Sequence, residues 1–551
     1  MEDNKSRVSR KGERQLNLFS QFKKFFFYQP GPRQERFTLP LYPKDPPPAP
    51  QGDGKVSARY EKNLAWVKNR FSIPANNDMV LREFTLSNGV KAFLVHIDGM
   101  VKSTTVNEFI LKPLMLGIFS SRGLKKQVAD TIQINSMKQY DRLAAAEDGI
   151  LIGDTAVFVD GVDEVYVCET KGFDKRSVGK AENESSIKGS QEAFAESIRT
   201  NTTLVRRIVR SPDLVTEFIK IGNINRNPCA VMYLKGLTNP ALVEEVKRRI
   251  NSLSSDFLYG SGMVEQMIED GPFRLLPNLL ATERPDAVAL HLCQGRVAVL
   301  VEGTPEALIM PVGITNLIKS PEDAQMRWQY ATVTRFTRAL AISFSALLPG
   351  FFVAIVNFHR GMIPTELLIA IAKTQENVPL PAMVEMLLME FAFELIREAG
   401  IRVPGVIGGT IGIVGGLILG QAAVSANLIS PLTIIVIAMT GISSFAIPDF
   451  SFSFGIRMIR VLLIFLAGCF GFVGMGLGIV AAVGLTCAQK NFGVGEFSPI
   501  SPKTKSRSFF VYAPPPWKKE FRPDEVNPAR RRNQPHISRR WIFGGKRKKS
   551  E

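Results

Sequence analysis

Two hydrophobic patterns divide this 551-residue chain. Between about 61 and 335 the apolar runs are short and alternate with segments of helical period. "VKAFLVHIDGM" (90–100) reads as a buried strand ending in a turn, and "STTVNEFILKPLM" as the helix that follows. "GDTAVFVDGVDEVYVCET" (153–170) reads as two strands joined at an Asp-Gly turn. From 336 to 489 the pattern changes to long apolar runs at 337–359 (uncharged after Arg338), 403–428, 430–448 and 461–488. Each is long enough to cross a ~30 Å hydrocarbon layer. The predicted fold class is an α/β N-terminal region of two related subdomains, followed by an all-α polytopic membrane domain.

The relation between the subdomains is itself a pattern. "CAVMYLKGL" (229–237) resembles the first strand, with Gly236 falling 137 positions after Gly99. "NPALVEEVKRRI" supplies the next helix. "GRVAVLVEGTPEALIM" (295–310) then matches "GDTAVFVDGVDEVYVC" at an offset of 142, pairing Gly153 with Gly295, Val157 with Val299, Gly161 with Gly303 and Glu164 with Glu306. The subdomains are placed at 61–185 and 225–335, with 186–224 as a linker helix of basic face. "TERPD" (282–286) reads as a salt-bridged turn before an "AVALHL" strand.

The last long run has 28 residues, about 42 Å as straight helix. Its centre, "GCFGFVGMGLG", is rich in glycine. Arg457 and Arg460 precede it and a basic tail follows it. A single crossing would place one basic flank outside, whereas a broken or doubled-back segment keeps both inside.

The helix candidate "EMLLMEFAFELIREAG" carries Glu385, Glu390, Glu394 and Glu398 in apolar surroundings. At 100° per residue Glu390, Glu394 and Glu398 form one stripe, and Glu385 faces elsewhere. Each charge at a bilayer centre costs roughly 3 kcal/mol, so the stripe must face protein, water or the interface. Two accounts stand side by side. In one the four carboxylates line a cation path; in the other they are structural, with Glu394 and Glu398 pairing with Arg397 and Arg402. In the next run Gly408, Gly412, Gly416 and Gly420 stand four apart, a face that lets helices approach closely, within one subunit or between copies.

Composition narrows the classes. The net charge is +17, and from Lys490 onward 16 Lys and Arg stand against 5 Asp and Glu. Beside apolar spans this basic stretch points to anionic lipid rather than nucleic acid. Residues 1–60 are Pro-rich and expected as a disordered tether, and 490–551 as a disordered basic tail. The N-terminus has no signal-peptide core, so the N-terminal subdomains are expected in the cytoplasm. Five cysteines and four histidines are scattered without ligand spacing, so no disulfide framework, metal site or cofactor is expected. No P-loop, nucleophile elbow or dinucleotide fingerprint occurs, and an enzyme is not expected.

Taken in order, "GDTAVFVDG", "ESIRTNTTLVRR", "GMVEQMIEDGPFRLLPNLLATERPDAVA", "IPTELLIAIAKTQENVPLPAMVEMLLMEFAFELIREAGIRVP" and "IGIVGGLILGQAAV" resemble the A subunit of GerA-type spore germination receptors, from about 78 to 502. The resemblance implies a multi-pass protein of the spore inner membrane that helps trigger germination in response to nutrients. It implies a transporter-like B subunit and a lipoprotein C subunit as partners, and an oligomeric ring that conducts ions. A solute transporter and a membrane-anchored scaffold for other germination proteins are the alternative functions.

Overall fold

The structure, a computed structural model, describes residues 37–41, 54–120, 123–172, 188–271, 274–402, 406–504 and 511–536, with positions 179, 181, 184, 538 and 539. Most of the expected N-terminal tether lies outside the described residues. The elements below all belong to the unit Leu39–Glu551.

The first subdomain is a five-stranded sheet. Its strands are β1 (Met79–Thr85), β2 (Lys91–Ile97), β3 (Met137–Tyr140), β4 (Thr155–Val159) and β5 (Val165–Cys168). They lie in the order β1-β2-β4-β5-β3, every neighbour antiparallel. Helices α1 (Tyr60–Arg70) and α2 (Leu143–Leu151) cover one face, where Tyr60, Leu64 and Ile150 meet Phe93, Val95 and Phe158. A helical stretch from Ser103 to Leu116 covers the other, where Val106, Ile110 and Leu114 meet Ala92, Leu94 and Val157. Burial on both faces explains why β2 reads as a continuous apolar run rather than an alternating one.

The second subdomain repeats this plan. Its strands are β6 (Leu214–Ile221), β7 (Asn227–Leu234), β8 (Leu280–Thr282), β9 (Val297–Val301) and β10 (Ala307–Met310), in the equivalent order β6-β7-β9-β10-β8. Helix α3 (Ile198–Ile208) stands where α1 stands in the first copy. Two differences from the sequence reading follow. The segment 186–224 is not a linker: α3 buries Ile198, Leu204 and Val205 in the second core, and β6 is that sheet's edge strand. "AVALHL" is helix α6 (Pro285–Leu292), preceded by α4 (Pro240–Asn251) and α5 (Ser261–Ile268). These six residues lie in a buried two-turn helix of eight, and so short a run does not distinguish helix from strand. The expected Arg284–Asp286 pair is present at 2.7 Å.

A buried polar clasp joins the two copies. Arg206 donates to both oxygens of Asp78 at 2.8 and 2.9 Å, to Asn76 Oδ1 at 3.1 Å and to the Leu214 carbonyl at 2.6 Å. Thr216 Oγ1 donates to Asp78 at 2.9 Å.

The helical part begins with α7 (Trp328–Phe358), followed by α8 (Thr365–Gln375), α9 (Ala382–Arg402), α10 (Val406–Ser425), α11 (Pro431–Phe445) and α12 (Phe450–Ala488). By length and composition α7 and α12 could each cross a membrane. Large apolar side chains such as Phe344, Phe351, Phe465, Val473 and Val480 are exposed along them.

Helix α12 is broken at its glycine-rich centre. Gly471 has φ 59° and ψ −143°, a conformation essentially confined to glycine. The chain reverses there. Gly478 lies against the Leu463 and Leu466 side chains, and Ala467 and Met475 share a cluster with Ala354 of α7. Both ends of α12 return to the second subdomain: Phe452 and Ile456 join its core, and the Ile314 N–H donates to the Glu496 carbonyl at 3.0 Å. The reversal sits beside Phe358 and His359, at the end of α7 far from the subdomains. A Cβ at Gly471 would meet His359 at 3.0 Å in addition to the backbone strain. Gly471→Ala should therefore cost about 1–3 kcal/mol, read as a lowered unfolding midpoint of the detergent-solubilised protein; an unchanged midpoint would refute the assigned geometry.

The described part of the basic tail is ordered against the second subdomain. The Ala529 N–H donates to the Leu237 carbonyl at 2.8 Å, just as Gly172 donates to Met100 at 3.0 Å in the first copy. The tail thus completes in one repeat a contact that the other completes locally, which a compositional reading could not detect.

Candidate functional site

The acidic stripe lies on α9, wedged between α11 and the first limb of α12. Glu385, Met386 and Met389 are buried, while Leu388, Phe391 and Leu395 face outward. The helix therefore turns Glu385 and Glu390 inward, with Leu388, Phe391 and Leu395 outward.

Each glutamate has a different surrounding. Glu385 is fully buried and faces α11, where it accepts from the Ser430 N–H at 2.9 Å and from Thr433 Oγ1 at 3.1 Å. Ser430 also caps α11 by accepting from the Thr433 N–H, so Glu385 reinforces a helix N-terminus. Glu390 is buried and ion-paired with Arg460, whose guanidinium also donates to the Ser345 carbonyl at 3.3 Å on α7. Glu394 is half-buried. It pairs with Arg457 at 2.5 Å and with Arg397 at 3.6 Å. Arg397 lies 5.3 Å from the centre of the Phe393 ring and reaches Ser444 Oγ at 3.4 Å. Glu398 is exposed near the end of α9.

The result is a ladder of alternating charge inside an apolar bundle, drawn from α9 and α12. Desolvating an unpaired charge there costs several kcal/mol, and close opposite charges offset much of it. Arg457 and Arg460 stand three positions apart, on one face of their helix. Sequence reasoning used these two arginines only as charged flanks of a span and missed them as partners. The signal that could have found them is "GIRMIRVLLIF", two arginines one turn apart inside a continuous apolar run.

Of the glycine stripe, a Cβ at Gly420 would meet Ile434 of α11 at 3.6 Å, and one at Gly416 would meet free space. The surroundings of Gly408 and Gly412 lie outside the described residues. Among the described residues, no group of three His, Cys, Asp or Glu side chains converges on a metal position.

Comparison with known proteins bears on what such a site serves. The family profile described as Bacillus/Clostridium GerA spore germination protein matches residues 65–525. Spore germination protein KA of Bacillus subtilis (strain 168) is 35% identical over 480 residues, covering 86% of this chain and 87% of that protein. Spore germination protein A1 of the same organism is 34% identical over 446 residues, covering 79% and 90%. The crystal structure of the N-terminal domain of the A subunit of the Bacillus megaterium spore germinant receptor GerK3 aligns at 30% identity over 47% of this chain and 96% of that one, with a TM-score of 0.37. This chain belongs to the GerA family of spore germination proteins.

Proposed function

We propose that this protein is the membrane subunit of a spore germinant receptor and forms, as a homo-oligomer, a gated cation path lined by the α9 carboxylates. The observation that carries the reading is that Glu385, Glu390 and Glu394 are each held by a partner on another helix, which movement of that helix would remove. In the resting arrangement Arg460 occupies Glu390, and Arg457 and Arg397 occupy Glu394. Sliding α12 away from α9 exchanges those guanidinium groups for passing cations. Stimulus reaches this element from a transporter-like B subunit and a lipoprotein C subunit, the partners that the family resemblance implies.

Helix directions support a topology with both the subdomains and the tail in the cytoplasm. Successive contacts of α12 with α7 (Arg460 with Ser345, Gly471 with Phe358) make its first limb parallel to α7. Contacts with α9 (Met383 with Gly468, Glu394 with Arg457) make that limb antiparallel to α9. Six passes follow, from α7, α9, α10, α11 and the two limbs of α12, placed in the spore inner membrane. The far side carries Arg360 and Lys373 beside Glu366 and Glu376, while Arg397, Arg402 and the described part of the tail lie on the near side. That asymmetry agrees with positive-inside placement. The Gly416 face, open within one chain, offers a surface to a neighbouring copy.

The test is potassium release from nutrient-stimulated spores. E394Q, and separately the double replacement E390Q/R460M that removes a pair together, should slow release several-fold at normal levels of assembled subunit. Unchanged release in both would refute the cation path while leaving family membership intact.

A further inference from the structure

The segment leaving the α12 hairpin docks on the second subdomain through a pocket of buried polar atoms that lack partners. Asn278 and Asn491 have no exposed surface, and Glu496 and Ser498 have 1% and 2%. Both Glu496 carboxylate oxygens, Asn278 Oδ1, Asn491 Oδ1 and Ser498 Oγ have no hydrogen-bond partner. The unpartnered donors are fewer: Asn278 Nδ2, Arg274 Nη1 and the Ser498 hydroxyl, which can also accept.

These residues form one locality. The Asn491 amide donates to the Asn278 carbonyl and, at 3.3 Å, to the Val312 carbonyl. The Asn278 backbone N–H serves the Glu269 carboxylate. Arg274 reaches the Lys490 carbonyl at 3.1 Å and stops 3.9 Å from Glu496. Thr315 Oγ1 donates to the Ser498 carbonyl at 3.2 Å.

Buried polar groups are almost always satisfied, and clustered exceptions mark a bound water or ion. Here the surplus is of acceptors, including a carboxylate with two vacant oxygens, and the occupant must supply positive charge. Asp270 is already matched by Arg249 at 2.7 Å. Glu269 and Glu496 stand against Arg274, a deficit of one positive charge. We propose that this junction holds a monovalent metal cation of the sodium or potassium class, liganded by Glu496, Asn278, Asn491 and Ser498. Hard cations of this kind take carboxylate, amide and hydroxyl oxygens. A divalent ion would overshoot the charge balance. Because ligands come from both the subdomain and the hairpin exit, the ion ties one to the other.

The experiment is thermal unfolding of the full-length protein in detergent, titrated with sodium or potassium chloride against choline chloride at constant ionic strength. An ion bound only by the folded state raises the midpoint with its concentration. The expected result is a rise of several degrees with the alkali salts alone, abolished in E496Q. Equal midpoints in choline, or stabilisation by calcium but by neither alkali ion, would overturn the proposal. Should E496Q fail to fold, crystals soaked in a thallous salt decide: an anomalous peak within ligand distance of Glu496 supports the site, and its absence overturns it. Neither result bears on conduction along α9, so the two readings fail independently.

Discussion

Replacing Arg460 with alanine should destabilise the solubilised protein by about 3–5 kcal/mol, the range for breaking a buried ion pair from one side. Arg460 and Glu390 are 1% and 7% exposed, so solvent screens neither. Without the guanidinium, Glu390 is left charged in an apolar bundle, and the Ser345 carbonyl loses a donor. Removing both charges tests the cause. E390Q/R460M leaves no uncompensated ion and should recover most of the loss, because a buried pair can be replaced by uncharged side chains of similar volume at little cost. The measurement is the unfolding midpoint of each variant in one detergent. If Arg460→Ala stays within about 1 kcal/mol of the parent, beneath the penalty for an unpaired buried charge, the pairing is wrong. An equal loss in the double variant would assign the effect to packing instead.

The second large effect is expected at the clasp between the two α/β copies. Arg206 and Asp78 are 1% and 4% exposed. The arginine there satisfies a carboxylate, an amide and backbone carbonyls contributed by both subdomains. Arg206→Ala should cost about 3–5 kcal/mol for the same reason as Arg460→Ala. The readout is local: amide exchange should quicken at Asn77, whose N–H bonds to Thr216 across the junction, and at Thr216, whose N–H bonds to Asn76. A matched control is Arg199→Ala. Arg199 pairs with Asp98 but is 66% exposed, and such surface pairs contribute about 0–1 kcal/mol. Similar effects from the two variants would show that burial does not set the cost here.

The sequence made much of this architecture legible. Strands β2, β4, β7 and β9 stand where the apolar runs predict them, because each run is short and bounded by turn residues. The constant offset between "GDTAVFVDG" and "GRVAVLVEG" announced the duplication, and the two sheets share one strand order. The second copy's true start was harder to see. α3 has a basic face and α1 a different sequence, so their equivalence rests on position in the fold, not on residue identity. The reversal within α12 was foreshadowed by glycine density and by its basic flanks, but the turning residue was not.

The candidate site divides along the same line. The glutamate stripe follows from helical spacing within one segment, which the chain alone specifies. Its partners do not: Arg460 lies 70 positions from Glu390 and Arg457 lies 63 from Glu394. The orphaned oxygens around Glu496 likewise come from segments more than 200 positions apart. Periodicity and turn chemistry act over a few residues, so the sequence by itself determined most of the elements, the repeat and the acidic stripe. Charge neutralisation in an apolar interior depends on contacts of a few ångströms, and only the tertiary structure decided which distant groups are brought within that range.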